Sequence, residues 1–113
     1  MLGLAGLLSG FYGIMAGSNL DFKKVWVARI PGGLSWDQVH HGLRAMPGCA
    51  AMTSFFYGDR GPFQHGTALL GFETSQEAMA AMGFLSGSWV PHFAEWQDQP
   101  LLANFALVLL LLL

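Results

Sequence analysis

The sequence predicts an α+β fold for the middle of the chain, with a four-stranded antiparallel sheet and two helices on one of its faces. Three observations predict it. Strand-like and helix-like segments alternate in the order β-α-β-β-α-β, both helices begin with a capping box, and all charged residues lie between Asp21 and Asp98. We therefore expect one domain over residues 21–99, with uncharged extensions at 1–20 and 100–113.

The first half of the domain has the pattern of a strand, a helix and a second strand. The β-branched run 24–30 is followed by turn residues, which is typical of a strand. Ser35 and Gln38 form a capping box that opens a helix whose apolar residues recur at helical spacing. Pro47 ends this helix, and residues 51–57 predict the second strand.

The second half of the domain repeats the pattern with a helix between two strands. Residues 67–72 predict the third strand. Thr74 and Glu77 form the second capping box, and the helix that they open is rich in Ala and Met and runs through Leu85. After a Ser-Gly-Ser turn, residues 92–96 predict a short fourth strand.

Three stretches of the sequence resemble the RNA-recognition motif (RRM) family. Residues 25–31 (VWVARIP) are similar to the hexapeptide of the family's first strand and the proline after it. Residues 65–72 (HGTALLGF) are similar to the octapeptide of its third strand, and residues 77–87 resemble its second helix and closing Asn-Gly. The resemblance covers most of the predicted domain and implies the ferredoxin-like βαββαβ sandwich of that family.

The positions that read RNA in the family are mostly changed in this chain. Aromatic side chains at the second hexapeptide position and the third and fifth octapeptide positions stack on bases. Trp26 keeps the first, whereas Thr67 and Leu69 replace the other two, Arg29 replaces an Asn, and His65 replaces a Lys or Arg. Each stacking platform is worth about 1–3 kcal/mol. The departures from the family pattern therefore predict that these five residues form a sheet face for protein contact, with RNA as the second candidate partner.

Charge and residue types argue against several other functions. The formal net charge is −2, and only Lys23 and Lys24 are adjacent among the basic residues, so no basic stripe follows a phosphate backbone. Cys49 is the only cysteine, and the adjacent His40 and His41 point in different directions on a helix, so we expect no metal site. Without a nucleophile motif, a carboxylate pair or a phosphate loop, we expect no enzyme activity and no cofactor.

The uncharged N-terminal run predicts a helix embedded in a membrane or in a protein complex. As a helix, residues 1–20 would reach across a thin hydrocarbon core. Its glycines give two Gly-x-x-x-Gly spacings for close helix packing: Gly6, Gly10, Gly13 and Gly17. A targeting peptide is the alternative, although the run lacks the basic residues of such peptides. The run 100–113 is too short for a full span, and a half-buried helix, a tail among partner subunits and an incomplete span all remain open.

These observations predict a non-catalytic accessory subunit of a multi-subunit membrane complex. Its RRM-like domain would contact other subunits, and its ends would contact transmembrane helices and lipid. A photosynthetic or respiratory complex in the thylakoid or mitochondrial inner membrane fits this prediction. The second hypothesis is a membrane-tethered single-stranded RNA-binding protein that also uses aromatic residues of the second and fourth strands: Phe55, Tyr57 and Trp96. The third is a domain whose ends pack on its own sheet without a membrane.

Overall fold

The computed structural model describes residues 20–61 and 64–107, which form a four-stranded antiparallel sheet and two α-helices around one core. The elements in chain order are β1 (Leu20–Ile30), α1 (Trp36–Arg44), β2 (Ser54–Gly58), β3 (Gly66–Gly71), α2 (Ser75–Leu85), a 3₁₀ segment (Pro91–Trp96) and β4 (Leu102–Leu107). The strand order in the sheet is β2-β3-β1-β4. The predicted α+β, ferredoxin-like βαββαβ fold is confirmed.

β1 is an inner strand of the sheet and pairs antiparallel with β3 on one side and β4 on the other. Val25 and Val27 point to the helices and are fully buried, so Trp26 between them points to the opposite, open face. Before Ile30 the strand contains one residue more than β3, and Arg29 has a φ of 67° there. This β-bulge changes the alternation, so that Ile30 is again buried in the core.

Both helices begin with the predicted capping boxes. The hydroxyl of Ser35 accepts a hydrogen bond from the backbone N–H of Gln38 at 3.1 Å, and the Gln38 side-chain oxygen accepts one from the N–H of Ser35 at 2.8 Å. Thr74 and Glu77 make the same reciprocal bonds at 3.1 and 3.2 Å. Each box satisfies two backbone N–H groups that the start of a helix leaves without partners.

The fourth strand does not lie where the sequence predicted it. Residues 92–96 belong to the 3₁₀ segment, so the strand prediction there is wrong, and β4 lies in the uncharged run 100–113 instead. Leu101 is fully buried and Phe105 packs against the core. This part of the run is apolar because it completes the sheet, which therefore extends past the predicted domain limit at residue 99 to Leu107.

The two uncharged ends join the domain at neighbouring positions. Leu20 begins β1 and is paired with Leu107, the last residue of β4. The glycines predicted to pack helices in a membrane lie outside the described residues: Gly6, Gly10, Gly13 and Gly17. Within the described ranges, no helix combines the length and the apolar character that a membrane crossing requires.

Gly42 lies where α1 packs against the 3₁₀ segment and leaves no room for a side chain. A Cβ atom there would lie 2.7 Å from Cε1 of Phe93 and 3.3 Å from Cβ of His92, and the Phe93 ring is only 1% exposed. We expect Gly42→Ala to overpack this contact, at a cost of about 1–3 kcal/mol in the free energy of unfolding before any gain in helix propensity. Urea titration followed by tryptophan fluorescence measures this cost.

Gly83→Ala on α2 is the matched control for that measurement. A Cβ atom at Gly83 meets nothing within 4 Å, so only the gain in helix propensity, up to about 1 kcal/mol, remains. The propensity gain is common to both variants, and their difference isolates the packing cost. Equal free energies of unfolding for the two variants would contradict the packing described for Gly42.

Candidate binding surface on the open sheet face

The open face of the sheet carries a row of large side chains that crosses all four strands. Phe56 is paired with Leu69, Leu69 with Trp26, and Trp26 with Asn104. Directly paired residues on neighbouring strands point to the same face. Phe56 is 72% exposed, and Trp26 and Leu69 are half-buried. We call these four residues the cross-strand row.

Three of the predicted contact residues lie on this face. Trp26 and Leu69 belong to the cross-strand row, and Thr67 lies in the next row, where it is paired with Gly58. The geometry brings these side chains together. Their role in binding a partner stays a prediction.

Arg29 and His65, the other two predicted residues, lie away from the cross-strand row. Arg29 occupies the bulge of β1, where its left-handed backbone interrupts the strand alternation. His65 precedes β3, and its Nε2 atom lies 2.8 Å from Oδ1 of Asp98. This contact joins the β2–β3 connection to the segment before β4.

The RNA hypothesis also named Phe55, Tyr57 and Trp96, and the structure places none of them on a strand with its side chain on the open face. Phe55 and Tyr57 pack against the core on the helix side, and the Tyr57 hydroxyl donates a hydrogen bond to the carbonyl of Leu34 at 3.4 Å. Trp96 lies in the 3₁₀ segment. Phe56, which the sequence reasoning did not select, is the exposed aromatic residue of β2. Phe56 could have been selected only from its pairing with Leu69, because Leu69 was already predicted to point outward and paired residues share a face.

Comparisons with solved structures find the same fold in RRM domains. The third RRM domain of Mip6 superposes with a TM-score of 0.58 and 12% identity, covering 79% of this chain and 99% of that domain. The C-terminal RRM domain of MEC-8, solved bound to AGCACA, gives 0.55 and 18%, covering 74% of this chain and 88% of that one. The first two RRM domains of the yeast poly(U)-binding protein Pub1 give 0.56 and 13%, covering 74% and 45%.

This chain has an RRM-like fold. At these identities the similarity shows the fold alone. No protein-family model and no curated protein matches the sequence.

Positive charge is sparse on the open face of this RRM-like domain. One row beside the cross-strand row contains Ser54, Gly71 and Lys24, and the row on the other side contains Gly58 and Thr67. Lys24 in the first of these rows and Arg29, whose bulge on β1 lies opposite Thr67, are the charged residues beside the cross-strand row. Since binding of a nucleic-acid backbone draws its affinity from Lys and Arg contacts to phosphates, this face favours apolar contacts over phosphate contacts.

The cysteine and the candidate metal ligands are the other reactive groups of the RRM-like domain. Cys49 is fully buried, and burial raises the pKa of its thiol to about 11, so the thiol is protonated and unreactive at neutral pH. Among residues 20–61 and 64–107, no three His, Cys, Asp or Glu side chains lie close enough together to hold a metal ion.

Because of the His65–Asp98 pair, we predict that the stability of the fold falls as the pH is lowered into the acid range. The hydrogen bond from His65 holds the pKa of the Asp98 carboxyl below its ordinary value of 3.8. Because the folded-state pKa is lowered, the pair stabilises the fold above the ordinary value, and this contribution is lost as the pH falls through the folded-state pKa. We expect Asp98→Asn to flatten the decline of the thermal midpoint below about pH 4. Thermal melts at a series of acid pH values measure this decline.

Glu95→Gln is the control for the acid-side measurement. Glu95 is exposed on the 3₁₀ segment, and within the described residues it has no ion-pair partner. Its variant should keep the slope of the wild type. A steep decline that survives in Asp98→Asn would show that the His65–Asp98 pair does not cause it.

Proposed function

We propose that this chain is a non-catalytic binding subunit whose RRM-like domain contacts a partner protein through its open sheet face. The cross-strand row is the observation that carries the proposal. It presents an exposed phenylalanine, a leucine and a tryptophan side by side, with Lys24 and the bulge residue Arg29 as the charged neighbours on the adjoining rows. Aromatic residues are enriched at protein interfaces, and their cores are depleted of charged residues.

The solvent-exposed apolar surface of this face is another reason to expect a partner. Phe56 leaves 72% of its surface to solvent at the outer end of the row. Covering apolar surface is worth roughly 25 cal/mol per Å², so a partner that fits the row gains free energy without satisfying any buried charge. Tryptophan is also one of the side chains that most often dominate binding energy at interfaces.

Single-stranded RNA is the second candidate partner, and Phe56 is the observation that favours it. Trp26 and Phe56 could each stack on a base, worth about 1–3 kcal/mol per base. The MEC-8 domain shares the fold in a structure bound to AGCACA. We rank RNA second because Leu69 separates the two rings and because Lys24 and Arg29 are the only described cations beside the row, too few for a basic stripe.

We further propose that the partner belongs to a membrane complex, photosynthetic or respiratory, in the thylakoid or mitochondrial inner membrane. The support is the uncharged run 1–20 and the pairing of Leu20 with Leu107. Because of this pairing, both uncharged ends leave the domain at the same place. Because residues 101–107 contribute to the core and the sheet, the N-terminal run carries most of this argument.

Substitutions in the cross-strand row test the binding face. We expect Trp26→Ala and Phe56→Ala each to weaken binding of the partner by about tenfold or more, as truncation of an aromatic residue that the partner buries does at other interfaces. The full chain, tagged and solubilised in mild detergent, is used to capture partners, and the captured proteins are quantified by mass spectrometry. Phe84→Ala is the matched control, because Phe84 is also an exposed phenylalanine, 53% exposed, but lies on α2 in the helix layer.

A fluorescence titration with pooled short RNAs separates the two candidates. If the open face binds protein, the dissociation constant for RNA should be weaker than about 100 µM at physiological salt, the weak end of non-specific binding. Micromolar RNA binding at low salt that Trp26→Ala abolishes, without any protein lost from the captured set, would replace the protein proposal by the RNA proposal.

Carbonate extraction of membranes tests the proposed location. We expect the wild-type chain to stay in the membrane pellet and the double variant Leu8→Lys, Ile14→Lys to be released, because a lysine costs roughly 2.5–3.5 kcal/mol at the centre of a membrane-inserted helix. The control places the same two charges on the exposed side of α2, as Gln76→Lys with Ala80→Lys. Complete release of the wild-type chain would contradict a membrane-embedded run.

A further inference from the structure

A second unpartnered surface lies along β2, at the edge of the sheet. We call β2 together with the neighbouring side of α1 the border. A cleft of about 140 Å³ opens between α1 and the chain leading into β2, lined by Trp36, His40, Arg44 and residues 52–55. The three helix residues are spaced four apart, so they form one stripe along α1. We call Trp36, His40 and Arg44 the α1 stripe. The cleft is smaller than the 300–1,000 Å³ of typical small-molecule sites, so a protein side chain suits it better than a cofactor.

The rings in this cleft contact one another but stay open to solvent. The Trp36 ring stacks on His40 with centroids 4.7 Å apart and meets Phe55 edge-on at 5.2 Å. His40 and Phe55 lie 4.9 Å apart. Even so, 47% of the Trp36 side chain remains exposed. The stripe and β2 are therefore in contact through His40 and Phe55, and they belong to one continuous surface.

β2 itself is an edge strand without the features that normally protect an edge. Among the described residues it pairs only with β3, so its outer backbone groups are available to another strand. Natural edge strands discourage such pairing with charged residues, Pro or bulges. The sequence of Ser54–Gly58 is SFFYG, with no charge and no proline, and its pairing with β3 is regular.

We propose that a second copy of this chain occupies this border, with the two β2 strands pairing antiparallel about a two-fold axis near Phe56. Such pairing sets each Phe56 beside its own copy on the open face and joins the two sheets into one of eight strands. It satisfies the outer backbone groups of both edges at once, and it packs each Phe56 ring, which is 72% exposed, edge to edge with its own copy while its open face stays in the cross-strand row. This proposal does not depend on the proposed function.

The α1 stripe has the self-complementarity that a two-fold axis requires. In a two-fold interface the same patch meets itself, so residue i contacts residue j and residue j contacts residue i. A two-fold axis near His40, which touches Phe55 beside the β2 centre, sets Trp36 of one copy towards Arg44 of the other. A guanidinium on the face of a tryptophan is a favourable cation–π pair. Arg44 has no ion-pair partner among the described residues, so it is available for this role.

The second copy fits this border better than the uncharged run 1–20 of the same chain. That run contains no charged residue, so it offers nothing to match the charge of Arg44. A second copy brings its own Trp36 ring to that charge and its own unprotected edge to β2. The groups that this border leaves without partners are thus the same groups that a second copy supplies.

Molecular mass in mild detergent tests the proposal on the full chain. Sedimentation with the detergent density-matched should show a monomer–dimer equilibrium, and Arg44→Glu should weaken dimerisation by about tenfold or more. Lys23→Glu is the charge-reversal control, because Lys23 is exposed on β1, two strands away from the edge. Trp26→Ala should also leave the dimer unchanged, so loss of the partner-binding face and loss of the dimer are distinguishable.

Oxidative cross-linking tests the strand pairing directly. Cysteine at the residue on a two-fold axis faces its own copy, so Phe56→Cys should form a disulfide-linked dimer under mild oxidation. The native Cys49 is buried and should not compete. Gly83→Cys, on the exposed side of α2, gives the background rate. Mixing Ser54→Cys chains with Gly58→Cys chains should also cross-link them, because the proposed axis sets these two positions opposite each other.

Three outcomes would overturn the proposal. One is a chain that stays monomeric at all concentrations up to about 100 µM. Another is a dimer that keeps its affinity in Arg44→Glu and cross-links no better through Phe56→Cys than through Gly83→Cys. The third is a monomeric chain whose Phe56→Cys variant cross-links to a different protein in detergent extracts, which would assign the border to that protein.

Discussion

The register of β1 between its two neighbours is the constraint on which the rest of the domain depends. Because β1 is paired along both edges, it cannot slip by one residue without turning Val25 and Val27 out of the core, where both are fully buried. The same alternation places Trp26 on the open face. Through the pairing it also places Leu69 and Asn104 beside Trp26. The core and the candidate binding surface are therefore two results of a single register.

Most of the fold could be predicted because its signals are local in the sequence. Both capping boxes lie at the predicted residues, and the first three strands lie close to their predicted ranges. The fourth strand could not be found in this way, because the run 101–107 contains no charged residue that would reveal an alternation. A continuous apolar run has the same appearance in a buried strand, a helix and a membrane tail. What decides its structure is pairing with β1, which joins Val27 to Ala103, far away in the sequence.

The candidate site shows the same division between local and long-range information. The octapeptide fixed the outward direction of Thr67 and Leu69, since their buried neighbours alternate with them. β2 offers no such guide, because aromatic residues occupy both inward and outward positions of the strand, so that either Phe55 or Phe56 could point outward. The prediction for Arg29 was made from regular alternation, and the bulge at this residue interrupts that alternation.

β2 links the two proposed surfaces because its consecutive phenylalanines serve different sides of the sheet. Phe55 contacts the α1 stripe, while Phe56 ends the cross-strand row. Pairing of β2 with its own copy would continue that row across a two-fold axis, from Asn104 of one copy to Asn104 of the other. The apolar strip would double in length, and adjacent strands in a sheet are about 4.8 Å apart. A face of that extent suits a broad, weakly charged protein surface better than a short run of bases, since RNA would gain stacking but only the Lys24 and Arg29 side chains of the second copy for additional phosphates.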